Sequence, residues 1–315
     1  MSLAFYSDQH VASVLDFSGV RAVLEQAFTD MALGKAAIFP RSRSDCGPTK
    51  LSAMGAIWQA QGVAGMKVYP TVGGQFSFLI NLFDLSKNEP IGVFEAGEIT
   101  RLRTASLATL VALRVVPRTA RKLAVIGAGV QGRAIAESLI QQFAFEELCV
   151  VDPGFGQDVF RRWTPQLGVH CRLCEAQEAV TDADVVVTAS RSKTPVFNGR
   201  WLKEGAFVAA VGTSLPNGRE IDDASLARAG RVIVEWKPQS LAEAGEIVLG
   251  TASGALKAEK VVDLAELYRG ENRWRASSQE IVIFKSVGVG LADIATAWLV
   301  ANTPVTKPEL LRTAG

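Results

Sequence analysis

Lys122-Leu-Ala-Val-Ile-Gly-Ala-Gly-Val-Gln-Gly-Arg-Ala-Ile-Ala136 decides how this chain is read, because an apolar run breaks into Gly127, Gly129 and Gly132 and then resumes at helical spacing. The pattern is a strand, a tight turn and a helix shaped around a dinucleotide. Gly127 permits the turn, Gly129 lets the backbone approach a pyrophosphate, and Gly132 lets the helix pack closely on its strand, with Val130 and Gln131 between them. The phosphate would rest on the helix N-terminus, where free N–H groups and the macrodipole favour an anion. The spacing predicts a strand over Lys122 to Ile126 and a helix over Gln131 to Gln142. A second apolar run, Glu147-Leu-Cys-Val-Val, follows and ends in Asp152, 20 residues beyond Gly132, where an acidic side chain accepts hydrogen bonds from an adenosine ribose.

Working outward, short β-rich runs and helical segments alternate after Arg121. A helix is expected over Gly156 to Leu167, a strand near His170, a helix near Ala176 to Thr181 and a strand over Asp184 to Ser190. Further strands are expected over Gly205 to Gly212 and Arg231 to Glu235. That succession is what a parallel, doubly wound sheet requires. The earlier part lacks it: a helix over Phe17 to Gly34, strands around Ala64 to Tyr69 and Ser77 to Asp84, and a helix from Thr100 to Val115. Leu291 to Ala301 reads as a helix, and Pro304 and Pro308 mark a loose tail. The expected organisation is α/β: a Rossmann sheet over 119–289, plus an α+β lobe over 1–118 joined by 290–315.

A chain of 315 residues exceeds what one core usually supports, so two lobes are the default. With 33 Lys+Arg against 32 Asp+Glu, the net charge of +1 gives no reason to expect nucleic acid or an anionic membrane, and small diffusible partners fit better. Although 48% of residues are apolar, no run approaches the roughly 18–20 that span a bilayer. The start, Met-Ser-Leu-Ala-Phe-Tyr-Ser-Asp, lacks the basic and apolar regions of a signal peptide, so a cytoplasmic protein is expected. Cys46, Cys149, Cys171 and Cys174 form no disulfide framework in a chain this long. Cys171-Arg-Leu-Cys174 has no second pair and only His10 and His170 to complement it, so no metal is expected.

The amino-terminal part adds cations. Gly65-Met-Lys67-Val-Tyr-Pro70 ends a predicted strand with a lysine, and Ile99-Thr100-Arg101-Leu-Arg103-Thr104-Ala105-Ser106 opens a helix with two arginines. A cation near a helix N-terminus is unfavourable unless an anion is bound beside it, which points Arg103 at a carboxylate that its planar fork fits.

Together these motifs resemble the ornithine cyclodeaminase and mu-crystallin family. The residues that carry the resemblance are Lys67, Thr100-x-x-Arg103-Thr104-Ala105, Gly127-Ala-Gly129-Val-Gln131-Gly132 and Ala183-Asp184-Val-Val-Val-Thr188. Further on come Gly212-Thr-Ser214-x-Pro216-x-x-Arg219-Glu220-Ile-Asp222, and Phe284-Lys285-Ser286-x-Gly288 with Asp293. The resemblance implies a homodimer whose first lobe binds substrate and whose Rossmann lobe binds NAD(P). It puts the substrate-carboxylate ligands on Lys67 and Arg103, with a further arginine near Phe39-Pro40, where Arg41 is preferred to Arg43. Thr104, Thr188, Ala189, Ser190, Ser286 and Gly288 are implied on the cofactor side. The cyclodeaminases carry Gly-x-Asp where this chain has Gly212-Thr213-Ser214, and a serine cannot serve as an aspartate base. Ser214 instead matches the ketimine reductases of the family.

The expected reaction is therefore NAD(P)H-dependent reduction of Δ1-pyrroline-2-carboxylate or Δ1-piperideine-2-carboxylate to proline or pipecolate. Lys67, or a water held by Ser214 or Thr188, is the candidate proton donor. The alternatives are a cyclodeaminase or an alanine or N-alkyl amino-acid dehydrogenase of the same family, or a ligand-binding protein without turnover. Asp152 favours NAD(H); Arg161 and Arg162, on the next helix, leave NADP(H) possible.

Overall fold

A computed structural model describes residues 3–154, 156–304 and the backbone of 309–311. Pro308 of the expected tail lies outside the described residues. Packing divides the chain into two compact units, one of Met1–Ser106 with Gly288–Gly315 and one of Leu107–Val287.

The second unit is an eight-stranded, wholly parallel sheet. Its strands run in the spatial order His170–Leu173, Glu147–Val151, Lys122–Ile126, Val185–Thr188, Phe207–Ala210, Ile281–Lys285, Ala229–Val234 and Val261–Asp263. The central strands are buried along their length, as parallel strands covered on both faces must be, which is why they read as continuous Val/Ile/Leu/Ala runs. Strand order reverses between Lys122–Ile126 and Val185–Thr188. The right-handed crossovers on either side of that point therefore lie on opposite faces, leaving a crevice at the carboxyl ends of these two strands.

The first unit is built on a mixed sheet in the order Glu309–Leu311, Leu3–Tyr6, Glu89–Glu95, Leu79–Asp84, Val63–Val72, Thr49–Trp58 and Ala36–Cys46, with the short Gln75–Phe76 paired to Val63–Val72. Helices Phe17–Ala32 and Gly290–Asn302 cover one face. The second of these lies close on the sheet because of glycines: a Cβ on Gly290 would come within 2.2 Å of the Gly55 carbonyl, and one on Gly65 within 2.8 Å of Ile294 Cδ1. The opposite face exposes Phe39, Leu51, Ile57, Val68, Leu79 and Phe83.

Several boundaries differ from expectation. A helix not expected from the sequence, Asp8–Val14, precedes the one expected over Phe17 to Gly34, which stops at Ala32 because Gly34 turns the chain at φ 72°. Gly156 to Leu167 is a seven-residue α-helix, Gln157–Trp163, followed by a 3-10 turn that contains Pro165. Lys67 lies mid-strand in Val63–Val72 and does not end it. The helix carrying Arg103 begins at Gly97, so Arg103 is nearly two turns in, beyond the reach of the terminal dipole. Among the described residues no helix is long and apolar enough to cross a membrane.

Candidate active site

The glycine turn of the second unit has the geometry its sequence demands. Gly127 takes φ 93°, and a Cβ there would press within 2.7 Å of the Ala189 backbone, so only glycine lets the two strand ends adjoin. A Cβ on Gly132 would reach 1.9 Å from the Gly127 carbonyl. Gly129, by contrast, has nothing within 4 Å of its would-be Cβ, and as N-cap of helix Val130–Ile140 it caps without a side chain. The first N–H groups of that helix thus face an open approach, which fits a pyrophosphate. Val130 is exposed and Gln131 half-buried at the same turn. Asp152 follows its strand, its Oδ2 accepting from the Ala128 N–H at 2.8 Å and its Oδ1 from the Gly154 N–H at 2.9 Å, so the carboxylate is held rigidly beside the turn. Arg161 and Arg162 are exposed at the end of the next helix, and Arg161 donates to the Gln157 side chain.

At the carboxyl ends of the neighbouring strands lies a buried charge network that the sequence reading did not assign. Glu220 accepts from Thr188 Oγ1 at 3.0 Å, from the Ser190 N–H and hydroxyl at 2.6 and 2.7 Å, and from the Gly212 N–H at 2.7 Å. Burial pushes its carboxyl up, against the pull of Lys285 and these donors. Lys285 pairs with Glu246 at 2.9 Å, and Glu246 accepts from the Glu220 N–H. Ser286 donates to Glu235 at 2.6 Å. The hydroxyls of Thr188 and Ser190 both give their hydrogens to Glu220, so Thr188 meets a water only as an acceptor. Ser214 is half-buried in the loop after strand Phe207–Ala210.

Three of the expected substrate ligands come together in the first unit. Lys67 is almost wholly buried, and its Nζ donates to Thr100 Oγ1 at 2.5 Å and to Asp293 Oδ1 at 3.1 Å. Arg103 Nε donates to the same Asp293 oxygen at 3.0 Å. Arg41 donates through Nη2 to the Gly288 carbonyl at 2.9 Å, and through Nε to Met54 Sδ. Gly288, expected on the cofactor side, belongs to this cluster: a Cβ on it would lie 2.9 Å from Arg103 Nη2 and 3.3 Å from Arg41 Nη2. Thr104 is buried on the same helix as Arg103, and Arg101 pairs with Glu98.

The electrostatics of the cluster are lopsided. Three cations, Arg41, Lys67 and Arg103, surround one carboxylate, Asp293. Burial alone would raise the Asp293 carboxyl, but Arg103, Lys67 and Arg41 outweigh it and hold it below the ordinary value. Lys67 is brought down to about 8, first by burial and then by Arg103 and Arg41, with Asp293 opposing. A site carrying this surplus of positive charge, formed by groups held in place by the fold, is suited to an anion. Asp293 was legible only as part of a motif. The signal that finds it is a lone acid in the apolar run Gly290-Leu-Ala-Asp-Ile-Ala-Thr-Ala297.

A sequence model described as the ornithine cyclodeaminase/mu-crystallin family matches residues 3–307. The chain is 32% identical to the ketimine reductase mu-crystallin of Mus musculus over 223 residues, covering 70% of this chain and 68% of that protein. It is 30% identical to the Delta(1)-pyrroline-2-carboxylate reductase of Bacillus cereus (strain ZK / E33L) over 226 residues, with the same 70% and 68% coverage. The crystal structure of a probable ornithine cyclodeaminase from Bordetella pertussis Tohama I superimposes with a TM-score of 0.92 at 41% identity, covering 95% of this chain and 96% of that one. With its parallel dinucleotide-type sheet, its cation cluster and these similarities, the chain belongs to the ornithine cyclodeaminase/mu-crystallin family.

Proposed function

We propose that the protein reduces a cyclic ketimine carboxylate, Δ1-pyrroline-2-carboxylate or its six-membered homologue, to the corresponding saturated cyclic amino acid, proline or pipecolate. The chain is an NAD(P)H-dependent oxidoreductase acting on C=N or CH–NH bonds. The observation that carries the finer reading is the surplus of fixed positive charge at Arg41, Lys67 and Arg103, in a chain whose relatives include ketimine and pyrroline-2-carboxylate reductases.

In this reading Lys67, Arg103 and Arg41 bind the substrate carboxylate, the guanidinium of Arg103 offering paired N–H donors. Holding the acid fixes the neighbouring C=N carbon, so that orientation supplies much of the rate. The open backbone at Gly129 and the helix N-terminus behind it would hold the dinucleotide, and Glu220 keeps Thr188, Ser190 and Gly212 in register at the adjoining strand ends. When bound, the reduced nicotinamide supplies the hydride. Lys67, brought to about 8, is charged at pH 7 and close enough to neutrality to exchange its proton, which suits it to protonating the imine nitrogen. Asp152, fixed by two backbone N–H groups, would accept from ribose hydroxyls and repel a 2′-phosphate, which favours NADH over NADPH.

The second reading is a cyclodeaminase, favoured by the likeness to the Bordetella pertussis protein. Ser214 opposes it, since a serine can neither act as a carboxylate base nor neutralise a second ammonium. One panel separates them: NADH with cyclic imines, NADH with pyruvate and ammonia, and NAD with ornithine. The ketimine reading expects turnover chiefly in the first. Ammonia released from ornithine at a comparable rate reverses it.

The first unit exposes Phe39, Ile57, Val68 and Phe83 on one face of its sheet, and apolar side chains gathered on one exposed face mark an interaction surface. We assign it to a second copy of this chain, giving a homodimer.

A further inference from the structure

Every side chain from Gly290 to Ala297 is buried, and Asp293 alone among them carries a formal charge. A carboxylate in such a place persists only if its partners are part of the design. The close seating of Gly290 on Gly55 and of Ile294 on Gly65 brings it over strand Val63–Val72, where it meets Lys67. Its use of donors is asymmetric. Oδ1 takes both Lys67 Nζ and Arg103 Nε, whereas Oδ2 is buried with no hydrogen-bond partner among the described residues. The hydrogen bonds to the carboxylate thus come from these two cations, and their positions and its own are one constraint.

The choice of Nε matters. A guanidinium can offer either its Nε side or its two terminal nitrogens to a carboxylate. Because Asp293 occupies Nε, the Nη1–Nη2 edge of Arg103 is left turned towards Gly288, next to Arg41 Nη2. We propose that Asp293 is the positioning residue of the acid site: it holds Arg103 by Nε, so that the paired terminal nitrogens meet the substrate carboxylate, and anchors the Lys67 ammonium beside them. This rests on the reading of the substrate as a carboxylate.

The groups facing Lys67 Nζ are the Asp293 carboxylate, the Arg103 and Arg41 guanidiniums, the Thr100 hydroxyl, and the rings of Phe78 at 4.3 Å and Tyr69 at 6.0 Å. Of the charges, Asp293 favours the ammonium and the two arginines oppose it. An opposite charge at this range is worth about 1–3 pH units. Removing it moves the alkaline limb of acid binding from near pH 8 to roughly pH 5–7.

The test is calorimetric binding of L-proline to the full-length protein loaded with NADH, from pH 5 to 9. Wild type is expected to lose affinity above about pH 8. Asp293→Asn should lose it at least one unit lower, and should bind at least about tenfold more weakly at its best pH because Arg103 is no longer held. Asp293→Glu keeps the charge but displaces it by a methylene, so the limb should stay while affinity falls about tenfold. A limb that stays near pH 8 in Asp293→Asn overturns the proposal, as does wild-type affinity in Asp293→Glu. If Asp293→Asn does not fold, the Glu variant alone decides. Wild-type protein that binds neither L-proline nor a cyclic imine instead overturns the acid-site reading, and this proposal with it.

Discussion

Replacing Arg103 by alanine tests the acid grip where it is most exposed to failure. The side chain is 7% accessible, gives its Nε to Asp293 and presents Nη1 and Nη2 beside Gly288. A desolvated, charge-assisted pair to a substrate carboxylate is worth about 2–4 kcal/mol, so kcat/KM for Δ1-pyrroline-2-carboxylate should fall by roughly 30- to 900-fold. The pH profile should move as well, in a direction fixed by the structure. Arg103 is one of the groups that holds Lys67 down, so its removal lets the lysine rise from about 8 and extends the alkaline limb upward. That is opposite in sign to the shift expected for Asp293→Asn, so a general disruption of the site cannot mimic both. Arg103→Lys keeps the charge and loses the fork, and should recover part of the activity while leaving the limb near its wild-type position. Initial rates of NADH oxidation between pH 6 and 9.5 measure all of this. A kcat/KM within threefold of wild type in Arg103→Ala refutes the reasoning.

Gly132→Ala and Gly129→Ala should behave differently. At Gly132 the new Cβ would sit 1.9 Å from the Gly127 carbonyl and force the turn open, costing stability of about 1–3 kcal/mol together with NADH affinity. At Gly129 nothing lies within 4 Å, so the melting temperature should hold while NADH affinity falls, as fluorescence titration and a thermal melt would show. Asp152 should give NADH a higher kcat/KM than NADPH; a tenfold advantage for NADPH would mean that the exposed Arg161 and Arg162 reach the ribose after all. Light scattering should find a dimer, and Val68→Asp, which places a charge in the exposed apolar face, should shift it towards monomer with the second unit's NADH affinity intact. A wild-type monomer would contradict that assignment.

The Rossmann unit was legible because its parallel strands are covered on both faces and its turn requires glycine at 127 and 132. Apolar runs and glycine spacing are local signals. The first unit was harder. In its long hairpin, Ala36–Cys46 has no fully buried residue and turns polar from Arg41, while Thr49–Trp58 keeps Leu51 and Ile57 exposed, so periodicity does not mark it. Lys67 and Arg103 stand out as cations in the first lobe, and the motif resemblance gives them, with Arg41, the role of carboxylate ligands. The physical reason first given for Arg103, the dipole at a helix start, does not hold for a residue nearly two turns in. What balances it is Asp293, 190 residues away in sequence, and no local pattern links the two. Glu220 was equally hidden: its partners Thr188, Ser190 and Gly212 become neighbours only when adjacent parallel strands end side by side.

The most direct test of the central claim follows the transferred hydrogen. The protein is incubated with NADH deuterated at the transferring C4 position and Δ1-pyrroline-2-carboxylate, and the product is analysed by mass spectrometry and proton NMR. Reduction of the C=N bond predicts proline carrying one deuterium, at C2, formed in step with NADH oxidation and without release of ammonia. Proline without label at C2, or no NADH consumption with either the five- or six-membered ketimine while ornithine yields ammonia, would contradict it.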